Sequence, residues 1–332
     1  MTRNAHVLRE IAETPWAMRP QALAQLVELV AAGADEDDIH ERMGVAAARP
    51  ARRAGTVAVI PLQGVIRPKP SLLAMLFGAG GGGLLSFRSM LREALGDEQV
   101  TGILLDVDSP GGLVDLVPEV AAEIRAARGT KPIVAIANTF AASAAYWLAS
   151  QADELVVTPS GEVGSIGVFV AHEDWSRFDE RMGVTTTLIA AGKYKTEGNP
   201  LEPLSDEARE AMQAKVDEYY GMFVADVAKG RGVSEKAVRG EFGEGRMVTA
   251  RTAVKLGMAD RVETLEQAAM RLVRGGGHSR RAEHQQPEPA VTPPAAPVEA
   301  APQTSESEPL LVPGAERLLA RRTVRKAFEP AA

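Results

Sequence analysis

The chain has 332 residues, 45% apolar and 24% charged, with a net charge of −7 and no cysteine. That length suits one large domain or two ordinary ones, and the composition is that of a globular protein. The missing cysteines exclude disulfides, thiolate catalysis and Cys-based zinc sites and fit a reducing cytoplasm, and the negative balance provides no global basic field for nucleic acid.

The N-terminus, "MTRNAHVLREIAETPW", lacks the long apolar core of a secretory signal. No uninterrupted run of about 18 apolar residues occurs, so no membrane span is predicted. Residues 1–54 read as a helical segment. "RPQALAQLVELVAAG" carries Leu23, Leu26, Val27 and Val30 at helical spacing with Gly33 as the stop, and the acidic "DEDDIHERMG" follows as a second helical piece. Further on, "SLLAMLFGAGGGGLLSF" (71–87) is apolar but too rich in glycine for a good helix. It reads as a loop that meets a partner subunit or a substrate. "GAGGGG" lacks the Lys-Ser/Thr and the strand context of a phosphate loop, and no metal, nucleotide or other cofactor site is predicted.

From Thr56 the pattern alternates. "TVAVIPLQGVI" is a strand and "SFRSMLREALGDE" a helix. "VTGILLDVDSPGG" is a buried strand running into a glycine turn. "LVDLVPEVAAEIRAARGT" is a helix softly broken by Pro118 and ended near Gly129. "KPIVAIAN" is a strand, "SAAYWLASQA" a helix, and "ELVVTP" and "GSIGVFVA" are strands. "VTTTLIAAGKYK" is a strand ending in a loop. "SDEAREAMQAKVDEYYGMFVADVAKGRG" is a long amphipathic helix with Ser205 as its N-cap, and "TARTAVKLGMADRVE" is a short helix, a stop at Gly257 and a last strand. This alternation predicts an α/β domain over 55–274 with a mainly parallel sheet flanked by helices. Beyond it, 275–332 is rich in Pro, Ala and Glu and reads as a disordered tail, with a short basic helix-like end at "AERLLARRTVRKAF".

Sites in α/β sheets gather where strands end. Three such ends carry reactive or permissive residues. In "DVDSPGGLVD", Gly111 and Gly112 let backbone N–H groups face a ligand. In "FAASAAY", Ser143 opens a helix, and the N–H of Ala144 points toward any oxyanion formed at Ser143. In "AAGKYKTEGNP", Lys193 and Lys195 enter a loop. A serine hydroxyl needs a base. A lysine serves if desolvated. His172 is the histidine in a plausible place, with Glu173, Asp174 and Asp179 nearby as polar helix-start residues.

The ordered set "SPGG", "AASAAYWLA", "GEVGSIGV" and "GKYK" resembles the signal-peptide-peptidase A family of serine proteases over about Val57 to Leu272. Within that family it is most similar to phage and prophage head-maturation proteases, in its "TPWAMRPQALAQLV" stretch, its "GNPLEPL" run and the missing membrane anchor. The resemblance implies a Clp protease/crotonase-like fold of repeated β-β-α units. It implies Ser143 as nucleophile, Lys195 as general base, Ser165 as the hydroxyl that positions the lysine, and the N–H groups of Gly112 and Ala144 as the oxyanion hole. Gly111 and the strand containing Val163, Gly164 and Ile166 would flank a bound peptide. A homo-oligomeric ring acting on capsid or scaffold proteins in the host cytoplasm, or within a prohead, is implied in the same way. Ala144 and Ala145 depart from the glycines common in the family, which narrows the site. Three other readings stand beside this one: a cytoplasmic signal-peptide-peptidase-like protease, a crotonase-type acyl-CoA enzyme that needs neither Ser143 nor Lys195, and a non-catalytic capsid scaffold on a protease fold.

Overall fold

The computed structural model describes residues 16–18, 28, 52–69 and 83–275. Of the expected N-terminal helical segment 1–54, Glu28 is helical, whereas Trp16–Met18 and Arg52–Ala54 are strands because they pair with neighbouring strands of the sheet; the rest of that segment, the 71–82 part of the apolar loop and the tail from 276 lie outside the described residues.

One mixed sheet organises the chain. Its strands are β1 (Trp16–Met18), β2 (Arg52–Ala54), β3 (Val57–Ile66), β4 (Gly102–Leu113), β5 (Ile133–Ala142), β6 (Glu154–Val157), β7 (Glu162–Gly164), β8 (Met247–Thr249) and β9 (Arg261–Val262). The main path runs β2-β3-β4-β5-β6-β9, with β1 on β4 and β7 bridging β5 and β8. The pairs β3–β4, β4–β5, β5–β6, β5–β7 and β6–β9 are parallel. The pairs β1–β4, β2–β3 and β7–β8 are antiparallel. The sheet is therefore mainly parallel and flanked by helices, as the alternating pattern predicts.

The helices are α1 (Leu84–Gly96), α2 (Val117–Ala126), α3 (Ala144–Ala149), α4 (Ser176–Arg181), α5 (Asp206–Arg231), α6 (Glu235–Glu241), α7 (Ala250–Lys255) and α8 (Leu265–Val273). The run "ILLDV" in β4 is buried on both faces, which is why it reads as continuous rather than alternating. Ile103, Leu105 and Val107 pack with Phe87 and Leu91 of α1, Val120 and Ile124 of α2, Trp147 of α3 and Phe223 of α5. Leu104 points the other way, toward Ala268 and Leu272 of α8. The period-two alternation of a strand thus serves two cores at once. Thr264 and Gln267 close a capping box at the start of α8.

Several expectations are corrected. "SPGG" is not a turn between strand and helix. β4 continues through it to Leu113, because β3 pairs with it as far as Gly112 and β1 pairs with Gly111–Leu113. Pro118 does not break a helix; it lies in the first turn of α2, where its missing N–H costs nothing. "GSIGVFVA" is a strand only up to Gly164, where φ of 125° at Gly164 and 54° at Ser165 turns the chain out of the ladder. "VTTTLIAAGKYK" forms no strand. Residues 184–195 are exposed, with Ile189 96% accessible, so no neighbouring strand supplies the ladder. Ser205 caps α5 as expected, accepting from the N–H of Ala208 at 3.2 Å.

Candidate active site

Ser143 stands between β5 and α3, where a parallel strand must turn sharply into a helix. Its backbone sits at φ 53°, ψ −118°, and the residue is fully buried. A non-glycine residue in such a region costs on the order of 1–3 kcal/mol and persists only where its surroundings hold it. Three features hold it. Its N–H donates to the carbonyl of Gly164 at 2.7 Å, and its carbonyl accepts from Trp147 N–H at 2.9 Å. Its hydroxyl donates to the carbonyl of Gly167 at 3.3 Å. The short helix α3 is buried along its whole length. Trp147 stacks on Phe223 at 4.5 Å between ring centres and donates its indole N–H to Asp226 at 3.0 Å.

The glycine strand is brought alongside. Ser109 of β4 is in register with Ala141 of β5, so the β4 segment that leads into Gly111 and Gly112 lies beside the end of β5 that leads into Ser143. Gly111 has φ 95°. Ser109 fixes that conformation: its buried hydroxyl donates to the Gly64 carbonyl at 2.6 Å and accepts from Gly111 N–H at 3.2 Å. Gly111 therefore spends its own N–H within the protein, while Gly112 follows it along the strand. A Cβ on Gly112 would lie 1.9 Å from the Ile66 carbonyl oxygen, so only glycine fits. Ala144 is the first residue of α3, and the first N–H groups of a helix have no intrahelical acceptor.

On the far side, β7 is occupied on both edges. Val163 pairs with Ala141 and Val248, and Gly164 with Ala142 and Met247. Those two residues have no open edge for a peptide, and any flanking by this segment has to come from Ser165 to Val168. Ser165 and Ile166 are buried there, and Ser165 N–H donates to the Arg246 carbonyl at 2.9 Å.

The candidate bases are less gathered. His172 uses its Nε2 on the Asn199 carbonyl at 3.1 Å, not on Ser143. Lys193 pairs with Glu207 at 3.0 Å and reaches the Tyr194 hydroxyl at 2.6 Å. The hydroxyl and then the carboxylate hold its ammonium above the usual lysine range, which disfavours it as a base. Lys195 is exposed, and among the described residues its side chain makes no hydrogen bond or ion pair, with Ser143, Ser165 or any other group. The structure thus ties Ser143 to the Gly164 and Gly167 carbonyls, sets the ends of β4 and β5 side by side, and leaves Lys195 exposed.

Two contributors escaped the sequence reading. Ser109 lies in the quoted "SPGG", but nothing local distinguishes an anchoring serine from a turn residue. The Gly164 carbonyl is a backbone group with no sequence signal beyond its glycine.

The arrangement is an α/β sheet with a strained serine at a strand-to-helix turn facing a glycine strand. Residues 125–276 match Peptidase family S49, which bears out the resemblance to signal-peptide-peptidase A proteases. The chain is 36% identical over 205 residues to the capsid assembly protease C of Escherichia phage lambda, covering 61% of this chain and 46% of that protein. It is 35% identical over 225 residues to a head-tail preconnector protein of an Enterobacteria phage, covering 68% and 44%. Protease 4 of Salmonella typhi is 29% identical over 220 residues, covering 66% and 34%. The chain therefore spans less than half the length of these relatives. A solved membrane-bound stomatin-specific protease overlaps 65% of this chain and 83% of its own at 14% identity and a TM-score of 0.38, which adds nothing to the fold described above. No helix among the described residues is long and apolar enough to cross a membrane.

Proposed function

We propose that the chain is a serine endopeptidase with Ser143 as nucleophile and Lys195 as general base, acting on capsid or scaffold proteins during phage head assembly in the host cytoplasm. The observation that carries this reading is the strained, buried Ser143 at the β5–α3 turn, which leaves β5 beside the end of β4 that leads into Gly111–Gly112 and is followed by the helix-opening N–H of Ala144.

Neutral Lys195 takes the proton from Ser143 Oγ, and the oxygen attacks the peptide carbonyl. The resulting oxyanion accepts from the N–H groups of Gly112 and Ala144; one such donor is typically worth about 2.7–4 kcal/mol. The Lys195 ammonium returns the proton to the leaving amine as the C–N bond breaks. Water then attacks the acyl-enzyme, giving its proton to Lys195, which passes it to Ser143 Oγ as the acid departs.

Lysine is a base near neutral pH only when desolvated. Lys195 gains that condition when its exposed segment is covered. Val184, Leu188 and Ile189 on the same segment are exposed apolar residues suited to packing against another copy of the chain. This supports a homo-oligomer in which assembly completes the site. Ser165, buried beside the Ser143 turn, is the hydroxyl proposed to hold the amine.

The test is digestion of an unfolded protein such as casein by the purified chain and by Ser143→Ala and Lys195→Ala variants. Fragments from the wild type alone support the reading. Equal digestion by either variant contradicts its assignment.

A further inference from the structure

A strand has two hydrogen-bonding edges. β3 fills one edge of β4 as far as Ile66↔Gly112. β5 fills the other, but only to Ser109↔Ala141, because it then turns into Ser143. β1 pairs with Gly111, Gly112 and Leu113. With β3 already present, β1 has to lie on the edge that β5 has just left. It therefore continues that edge beside the Ser143 turn.

Its direction matters as much as its place. β1 is antiparallel, with Trp16 opposite Leu113, Ala17 opposite Gly112 and Met18 opposite Gly111. The chain thus runs from Leu113 back along β4 and reaches Gly111 at Met18, toward the pair Ser109↔Ala141 where β5 leaves the edge. A peptide substrate bound by strand addition would enter the same way, with its acyl side on Leu113 and Gly112 and its scissile carbonyl opposite the Gly112 donor. Directly opposed residues of an antiparallel pair can exchange N–H and C=O groups, so the residue facing Gly112 is the one whose carbonyl a Gly112 donor would take. That residue is Ala17.

Resting on the serine-peptidase reading above, we propose that Trp16–Met18 is an internal occupant of the peptide-binding edge, with Trp16 and Ala17 in the register of the acyl half of a substrate, and that it must leave before another peptide can bind. A three-residue strand that pairs with β4 alone among the described strands is held weakly enough to be displaced. The same register defines the substrate class: an extended segment with a small residue opposite Gly112.

The absence of cysteine in the chain permits a direct test. In a full-length Trp16→Cys/Leu113→Cys chain, the paired positions are suitably opposed for a cross-strand disulfide. The readout is the rate at which a fluorophosphonate probe labels Ser143. The oxidised form should label about tenfold or more slowly than the same protein after reduction. In a separate Ala17→Pro chain, proline disrupts the pairing, and labelling should exceed the wild type by about tenfold, as expected when a site mostly occupied becomes free. Equal rates in the oxidised and reduced forms, or failure of the disulfide to form, would overturn the proposal while leaving Ser143 as nucleophile. If the wild type, the reduced pair and the proline variant all fail to label, the peptidase reading falls and takes this proposal with it.

Discussion

The N–H of Ser143 donates to the carbonyl of Gly164 at 2.7 Å, tying the serine's turn to the end of β7. Gly164 has φ 125°, and a Cβ there would lie 2.6 Å from the Arg246 carbonyl oxygen. Gly164→Ala should therefore shift the carbonyl that holds Ser143. The expected outcome is a loss of about 1–3 kcal/mol in denaturant unfolding. Ser143 labelling should slow by more than the stability change accounts for.

Ser109 is a second support. Its hydroxyl joins the Gly64 carbonyl to the Gly111 N–H inside the protein. Ser109→Ala leaves a buried acceptor and donor without that partner, at a cost of about 1–3 kcal/mol. Because Gly111 leads directly into Gly112, peptidase activity should fall with kcat affected more than KM. Urea unfolding and steady-state kinetics on one peptide check both effects.

Arg231 of α5 is buried and makes a two-pronged pair with Asp260 at 2.9 and 3.0 Å, while its Nε donates to the Gly257 carbonyl. Removing one member of a buried pair strands the other charge. Asp260→Asn should cost about 3 kcal/mol in thermal or chemical unfolding. Ser143 labelling of the fraction still folded should be unchanged.

Glu123 of α2 is held by Arg88, and also by Arg92 of α1. The Arg88 hydrogen bond, the largest influence, lowers the Glu123 pKa below the usual glutamate range. A carboxylate depressed in the folded state stabilises it above its unfolded pKa, and that contribution is lost as pH falls through the folded value. Glu123→Gln should thus be less stable than wild type at neutral pH, and the gap should close in acid. Unfolding midpoints measured from pH 7 down to pH 3 test the sign.

The parallel sheet and its helices were readable because "ILLDV", "PIVAIA" and "ELVV" are buried strands separated by helices with clear apolar faces. The strand-to-helix turn at Ser143 was readable because the β-branched run "KPIVAIA" gives way there to the small residues of "SAAYWLA". Three features were not. The extension of β4 through "SPGG" depends on pairing with the distant β1 and β3, and Pro-Gly-Gly alone reads as a turn. Trp16–Met18 is a strand only because β4 offers an open edge there; its flanks read as helix. Residues 184–195 have the composition of a strand but no strand partner among the described residues, so Lys195 lies exposed.

The most direct test of the central claim is intact-mass analysis of the fluorophosphonate adduct, with peptide mapping, on wild type and on Ser143→Ala, Lys195→Ala and His172→Ala chains. The account predicts one adduct per wild-type chain, on Ser143. It predicts none on Ser143→Ala, strongly slowed labelling of Lys195→Ala, and near-normal labelling of His172→Ala. An adduct mapping to another residue, or a Lys195→Ala chain that labels at the wild-type rate while His172→Ala does not, would contradict it.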